Sequence, residues 1–250
     1  MPGYATRQLT VRLGGRDYRI RALSDKQQFA DPTGAAERAG ISSSLWSLFG
    51  QVWPSGRVLA EAMSSIDVAG RRILEIGCGL GLSSLVLQQR QADVTASDHH
   101  PLAKSFLDHN AALNGLPALR YRDLPWATPD ATLGHFDLII GSDILYERDH
   151  AALLAQVLLR HARPCAEVLI TDPGRGNSGA FTRALLAQGY TVSEQRSRFD
   201  ERDVAPFRGR LLSYRRGAHS DTAPRADIGQ IAAARSMTTA DAASGQAIPS

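Results

Sequence analysis

The chain has 250 residues, 43% of them hydrophobic and 21% charged, which suits a globular protein with one full-sized core. A net charge of +3 with a pI of about 9.1 is too small an excess to argue for a nucleic-acid partner. No apolar run approaches the ~20 residues needed to cross a bilayer, and "MPGYATRQLTVRL" lacks the apolar stretch of a signal peptide. Cys78 and Cys165 match no zinc spacing and no disulfide framework, so the expected compartment is a reducing cytoplasm.

In chain order, "RQLTVRLGGRDYRIRAL" alternates apolar and polar residues around Gly14-Gly15 and predicts a β-hairpin. "SDKQQFADPTGAAERAGISSS" is polar and broken by Gly and Pro, so it predicts a loop with at most a short helix. "GRVLAEAM" is the first helical stretch. From Arg72 strands and helices alternate. "RILEIG", "DVTASD", "ALRYRD", "FDLIIGSD" and "AEVLITD" are strand-like; "LSSLVLQQR", "PLAKSFLDHNAALNG", "DHAALLAQVLLRHA" and "SGAFTRALLAQG" are helical. That alternation predicts an α/β fold, with a mostly parallel sheet covered by helices on both faces. "YTVSEQRS" and "GRLLSYRR" have no helix between them and predict an antiparallel edge hairpin. The expected organisation is a hairpin and loop segment over 1–50, one α/β domain over 51–216, and a disordered tail over 217–250, which has no aromatic residue.

"ILEIGCGLG" follows the first core strand and leads into a helix. Glycines at such a turn let a ligand approach the backbone, in the crevice beyond the strand ends. The dinucleotide spacing G-x-G-x-x-G fails in both registers. From Gly77 the third glycine position is Leu82, and from Gly79 it is Ser84. An acid instead precedes the loop, as Glu75-x-Gly77-x-Gly79. The second strand ends at Asp98, where a carboxylate can accept both hydroxyls of a ribose. The adjacent His99 and His100 point to different sides and have no further ligand cluster, so no metal is expected.

The acidic glycine loop resembles motif I of the class I, seven-strand S-adenosylmethionine (SAM) methyltransferases. "QVWPSG" before the first core strand and "SDILYE" after the fourth resemble the W-P-S/A/G and D-x-x-Y elements of the family 16 methyltransferases. "TDPGRG" adds a likeness to the group acting on lysines of the electron-transfer flavoprotein β subunit, and bacterial members are often labelled nicotinamide N-methylase-like. The resemblance runs roughly from Gln51 to Arg216 and implies a Rossmann-like seven-stranded sheet. The N/D-P-P-Y/F element of enzymes acting on base amines or glutamine is missing; "SDILY" stands in its place.

The resemblance implies SAM as cofactor, held by Trp53, Glu75, Gly77, Gly79, Gly81, Asp98 and Ser142, with Asp123 and Trp126 of "YRDLPW" on the adenine. It implies catalytic roles for Asp143 and Tyr146. If the chain turns helically after Asp143, Tyr146 shares its face, and the pair can hold an acceptor nitrogen in line with the methyl group. Asp172 and Arg175 either shape the acceptor site or pair with each other and fix their loop. The implied reaction is N-methylation of a protein side chain, lysine first. The alternatives are a small amine or N-heterocycle as acceptor, or SAM binding without turnover. Neither nucleic acid nor membrane is expected as a partner.

Overall fold

The computed structural model describes residues 4–25, 31, 33–46, 48–128, 130–199 and 207–217. The expected tail lies almost wholly outside them. Among these residues the chain forms nine strands and seven helices. Strands β1 (Thr6–Leu13) and β2 (Arg16–Leu23) pair antiparallel as a hairpin. Two four-residue helices follow, α1 (Ala35–Arg38) and α2 (Ser43–Trp46), then α3 (Pro54–Met63). The alternating region comprises β3 (Arg72–Ile76), α4 (Leu82–Gln89), β4 (Asp93–Asp98), α5 (Ala103–Leu113), β5 (Arg120–Asp123), β6 (Phe136–Ser142), α6 (His150–His161), β7 (Ala162–Asp172) and α7 (Ser178–Ala187). Strands β8 (Thr191–Phe199) and β9 (Phe207–Arg216) close it.

The main sheet has seven strands in the order β5-β4-β3-β6-β7-β9-β8. The first five are parallel, and β9 runs antiparallel to both β7 and β8. The inner strands β3, β4 and β6 are buried on both faces, so their residues alternate between two apolar layers, while β5 is mostly exposed. Ile73, Leu138 and Ile140 belong to the core shared with the hairpin, α3, α4 and α5. Leu74, Ile76 and Ile139 belong to the core beneath α6 and α7.

The hairpin is clipped to α5 by asparagine side chains. Asn110, fully buried, accepts from Arg21 N at 2.7 Å and donates to Leu80 O at 3.1 Å. Asn114 accepts from Arg19 N and donates to Arg19 O. A hairpin alone is marginal in water; this one buries Val11, Leu13, Tyr18 and Ile20 against the helices. Chain order reverses between β3 and β6, and the crevice of an open parallel sheet opens at the carboxyl ends of strands flanking such a point. The loops after β3, β4 and β6 meet there.

Candidate active site

A cavity of about 470 Å³ occupies that crevice, within the size range of small-ligand sites. Its lining includes Trp53, Glu75, Gly77, Gly79, Asp98, Trp126, Ser142, Asp143 and Tyr146. Nine of the eleven residues expected from the sequence are thus brought to one space.

The glycine loop makes room in two ways. Gly77 has φ 64°, and a Cβ there would sit 3.0 Å from Ile144 Cγ2; Gly79 has φ 53° and open space where its Cβ would be. Cys78, in between, ties the loop to β4 through its N–H on Ser97 O at 2.9 Å. Glu75 is fully buried and accepts from Ser84 N at 2.9 Å and from the Ser84 hydroxyl. It therefore holds the first turn of α4 against the loop. Burial pushes its carboxyl up to about 7, against the pull of the Ser84 and Ser83 hydrogen bonds. Asp98 accepts from Gly79 N at 2.7 Å through Oδ2 and from His100 N at 2.8 Å through Oδ1. Burial raises its pKa and these backbone donors lower it. Each carboxylate oxygen keeps a further lone pair, as a ribose would need.

Gly81 is set apart from the other glycines of the loop. It does not line the cavity; it precedes α4 at φ 80°, and a Cβ there would run into the Leu107 side chain. Its role is close helix packing. Asp123 is set apart as well. Its side chain is 71% exposed, lies outside the cavity lining and meets His99 Nδ1 at 3.1 Å. Trp126 does line the cavity, edge-on to His150 at 4.8 Å. Trp53 opens α3 ahead of Pro54 and donates from Nε1 to Leu48 O at 2.8 Å, which fixes its ring in the wall.

At the end of β6 the chain does not turn helically. Asp143 takes a left-handed φ of 53°, at a cost of about 1–2 kcal/mol for an L residue, although Asp tolerates it better than most. Its N–H continues the ladder to Thr171 O at 2.8 Å, and α6 starts only at His150. Asp143 and Tyr146 still meet the same cavity, by a non-helical path. Burial, reinforced by Asp98, Glu147 and Asp143, pushes the Tyr146 phenol up to about 12, so it remains a neutral donor and acceptor. Asp172 and Arg175 do not pair. Arg175 forks onto Asp143, from Nε to Oδ1 at 2.6 Å and from Nη2 to Oδ2 at 2.7 Å. Asp172 instead faces Arg210 at 3.6 Å.

Several lining residues carried no motif. Ala39, Gly40, Ile41, Leu45, Leu48, Phe49 and Val52 build one wall. That wall is held by His99 Nε2 on Ala39 O at 2.9 Å and by Phe49 stacked on His100 at 3.9 Å. Burial drives the His100 pKa down to about 3, so its ring stacks as neutral imidazole. Its Nε2 is buried without a hydrogen-bond partner among the described residues. His150 lies between Trp126 and Tyr146, with Nδ1 on Ile144 O at 3.0 Å and its pKa lowered by burial. The only sequence signal for these residues was their position beside motif residues.

The cavity suits SAM. It has an open glycine turn, a strand-end carboxylate with free lone pairs, and aromatic and apolar walls. A family model described as lysine methyltransferase matches residues 42–181. The EEF1A lysine methyltransferase 3 of Mus musculus is 28% identical over 195 residues, 75% of this chain and 78% of that protein. The protein N-lysine methyltransferase METTL21A of Danio rerio is 33% identical over 198 residues, 73% and 87% of the two chains. A putative SAM-dependent methyltransferase from Streptococcus mutans shares the fold, with a TM-score of 0.61 at 11% identity over 83% of this chain and 55% of that one. A T. thermophilus 16S rRNA methyltransferase, solved with AdoMet and guanosine, does so with a TM-score of 0.56 at 19% identity over 85% and 51%. With its family match spanning both the glycine loop and the Asp143 loop, the chain belongs to the lysine methyltransferase family and is a SAM-dependent methyltransferase.

Proposed function

We propose that this enzyme methylates the side-chain nitrogen of a lysine in a protein partner, with Asp143 and Tyr146 holding that nitrogen. The observation that carries the reading is the convergence of Asp143, Tyr146 and the glycine loop on one cavity. The named activities of the relatives support a lysine acceptor. SAM, when bound, supplies an electrophilic methyl group on a cationic sulfonium. Gly77, Gly79, Asp98, Trp126, Trp53 and Ser142 bind and orient it. Asp143 accepts an N–H of the acceptor, a hydrogen bond that strengthens as the nitrogen gains positive charge, while the Tyr146 phenol fixes its direction. Positioning of this kind supplies much of the rate in a displacement that needs no covalent enzyme intermediate. The attacking amine must be neutral, a form that a free lysine populates at about one part in two to three thousand at pH 7.

The second reading is a small amine, which the apolar wall of Ala39, Ile41, Leu45, Leu48, Phe49 and Val52 could border. Among the described residues no helix is long and apolar enough to cross a membrane. One buried and one exposed free thiol support a cytoplasmic enzyme.

The test is transfer of labelled methyl from SAM to a host-cell extract, separated into protein and small-molecule fractions. Wild type is expected to label a protein on lysine. Asp143→Asn is expected to lower that rate about 100-fold while SAM affinity stays within about twofold. Label confined to the small-molecule fraction selects the second reading, and full activity in Asp143→Asn removes Asp143 from the mechanism.

A further inference from the structure

Asp143 does not meet the cavity alone. The Arg175 fork engages both carboxylate oxygens at 2.6 and 2.7 Å, a two-point geometry that a lysine ammonium cannot reproduce. Both residues line the cavity. The carboxylate is the more enclosed partner, at 11% side-chain exposure against 40% for the arginine. The fork and the Asp143 N–H on Thr171 O together hold Asp143 at its left-handed φ.

An isolated carboxylate here would create a difficulty for the reaction. Opposite charge within a few ångströms favours the charged form of an amine, and an ammonium has no lone pair with which to attack. A carboxylate already matched by a guanidinium still has lone pairs for an amine N–H but carries little net charge. Asp172 also acts on Arg175, as a second carboxylate beside Asp143. Asp172 faces Arg210 at 3.6 Å. Tyr146 is a phenol pushed up to about 12. The His150 pKa is lowered by burial, and its Nδ1 is on Ile144 O. Asp98 is held by Gly79 N and His100 N, and Glu147 acts on Tyr146 and His150. Arg175 is kept cationic by its hydrogen bond to Asp143.

We infer that Arg175 is a positioning residue for methyl transfer: it fixes the Asp143 carboxylate in the cavity wall and cancels its charge, so that the acceptor binds there as the neutral, nucleophilic amine. The inference rests on the role given to Asp143 under the proposed function.

The test follows kcat and KM against pH for wild type, Arg175→Gln and Arg175→Lys, using the lysine-labelled protein band of the extract from limiting to saturating concentration. The limb is read from kcat because kcat reports the bound amine. SAM affinity and Tm establish that each variant is folded. The rate rises with pH as the amine loses its proton. Removing the guanidinium leaves Asp143 as a bare anion, which raises the amine pKa. The rising limb of Arg175→Gln should move about one unit to higher pH, with rate recovered on the alkaline side. Arg175→Lys keeps the charge and loses the fork. Its limb should stay in place while its plateau falls about tenfold, and it carries the test if Arg175→Gln does not fold. An unmoved limb in Arg175→Gln overturns the inference, as does a full plateau in Arg175→Lys. A lowered KM with an unmoved limb would make Arg175 a competitor of the acceptor. Wild type that labels no lysine defeats the proposed acceptor instead, and so separates the two failures.

Discussion

Replacing Gly81 and Gly79 by alanine, one at a time, separates a glycine that serves packing from one that serves the cofactor. Both have positive φ, 80° and 53°, so a Cβ costs about 1–2 kcal/mol at either position. At Gly81 the new carbon also meets the side chain of the fully buried Leu107, and forcing a carbon into a packed core adds about 1–3 kcal/mol. The total for Gly81→Ala is about 2–5 kcal/mol, which for a chain of this size lowers Tm by roughly 5–15 °C. At Gly79 no atom lies within 4 Å of the added carbon, so the loss stays near ~1–2 kcal/mol. That carbon instead takes space at the cavity surface, and SAM Kd should rise about tenfold or more, at 1.4 kcal/mol per decade. Scanning calorimetry with and without SAM, joined to titration calorimetry, reads both effects. SAM at 100 times its Kd should stabilise wild type by about 2.7 kcal/mol. Gly81→Ala should keep that increment on a lowered baseline, and Gly79→Ala should lose about half of it or more at the same SAM concentration. Unchanged SAM affinity in Gly79→Ala, or equal losses of affinity in both variants, would refute this division of roles.

Burial holds the Glu75 carboxyl at about 7 instead of its ordinary 4.5. Between those values the folded chain keeps a proton that the unfolded chain has released, so this contribution to stability is full below about pH 4.5 and is lost as pH rises through about 7. Glu75→Gln keeps an acceptor for Ser84 and removes the titration. Its Tm should vary less over that window in circular-dichroism melts, and parallel curves for the two proteins would count against the assignment. Asp123→Ala should leave SAM Kd within about twofold, because its carboxylate is exposed and outside the cavity, whereas Trp126→Ala should weaken binding about tenfold through lost aromatic contact. The opposite ranking in titration calorimetry would return Asp123 to the cofactor.

The sheet and its helices were legible because their signals are local: apolar strands buried on both faces, helical spacing between them, and glycine at the turns. Asp98, Ser142 and Asp143 could be placed together because parallel strands deliver their carboxyl ends to one edge. Asp123 fails the same logic for a positional reason. It is the register partner of Asp98, but β5 is the outer strand of the sheet, so it sits one strand spacing, about 4.8 Å, further from the switch point. There its carboxylate finds His99 and solvent. The wall from Ala39 to Val52 was illegible because its apolar residues are broken by serines and glycines and keep no period. It is placed by contacts such as Phe49 on His100, whose partners lie some fifty residues away in sequence.

The partner of Arg175 shows the same limit at the scale of one ion pair. Asp172 and Arg175 are three residues apart, and a local reading pairs them. The antiparallel pairing of β7 with β9 sets Arg210 directly opposite Asp172, and that cation reaches its carboxylate at 3.6 Å. Arg175 is then available to Asp143, on the neighbouring parallel strand, and the ladder bond from Asp143 N to Thr171 O brings the two loops together. Sheet order therefore sets a cation beside each of the two carboxylates, although Arg210 gives its hydrogen bond to Glu194. Had β9 paired one residue out of register, its side chains would face the opposite side of the sheet, and Arg210 would turn away from Asp172. Arg175 would then have two carboxylates to serve, and Asp143 would face the acceptor as a bare anion. The catalytic environment at the end of β6 thus depends on a strand, β9, that lies outside the cavity lining.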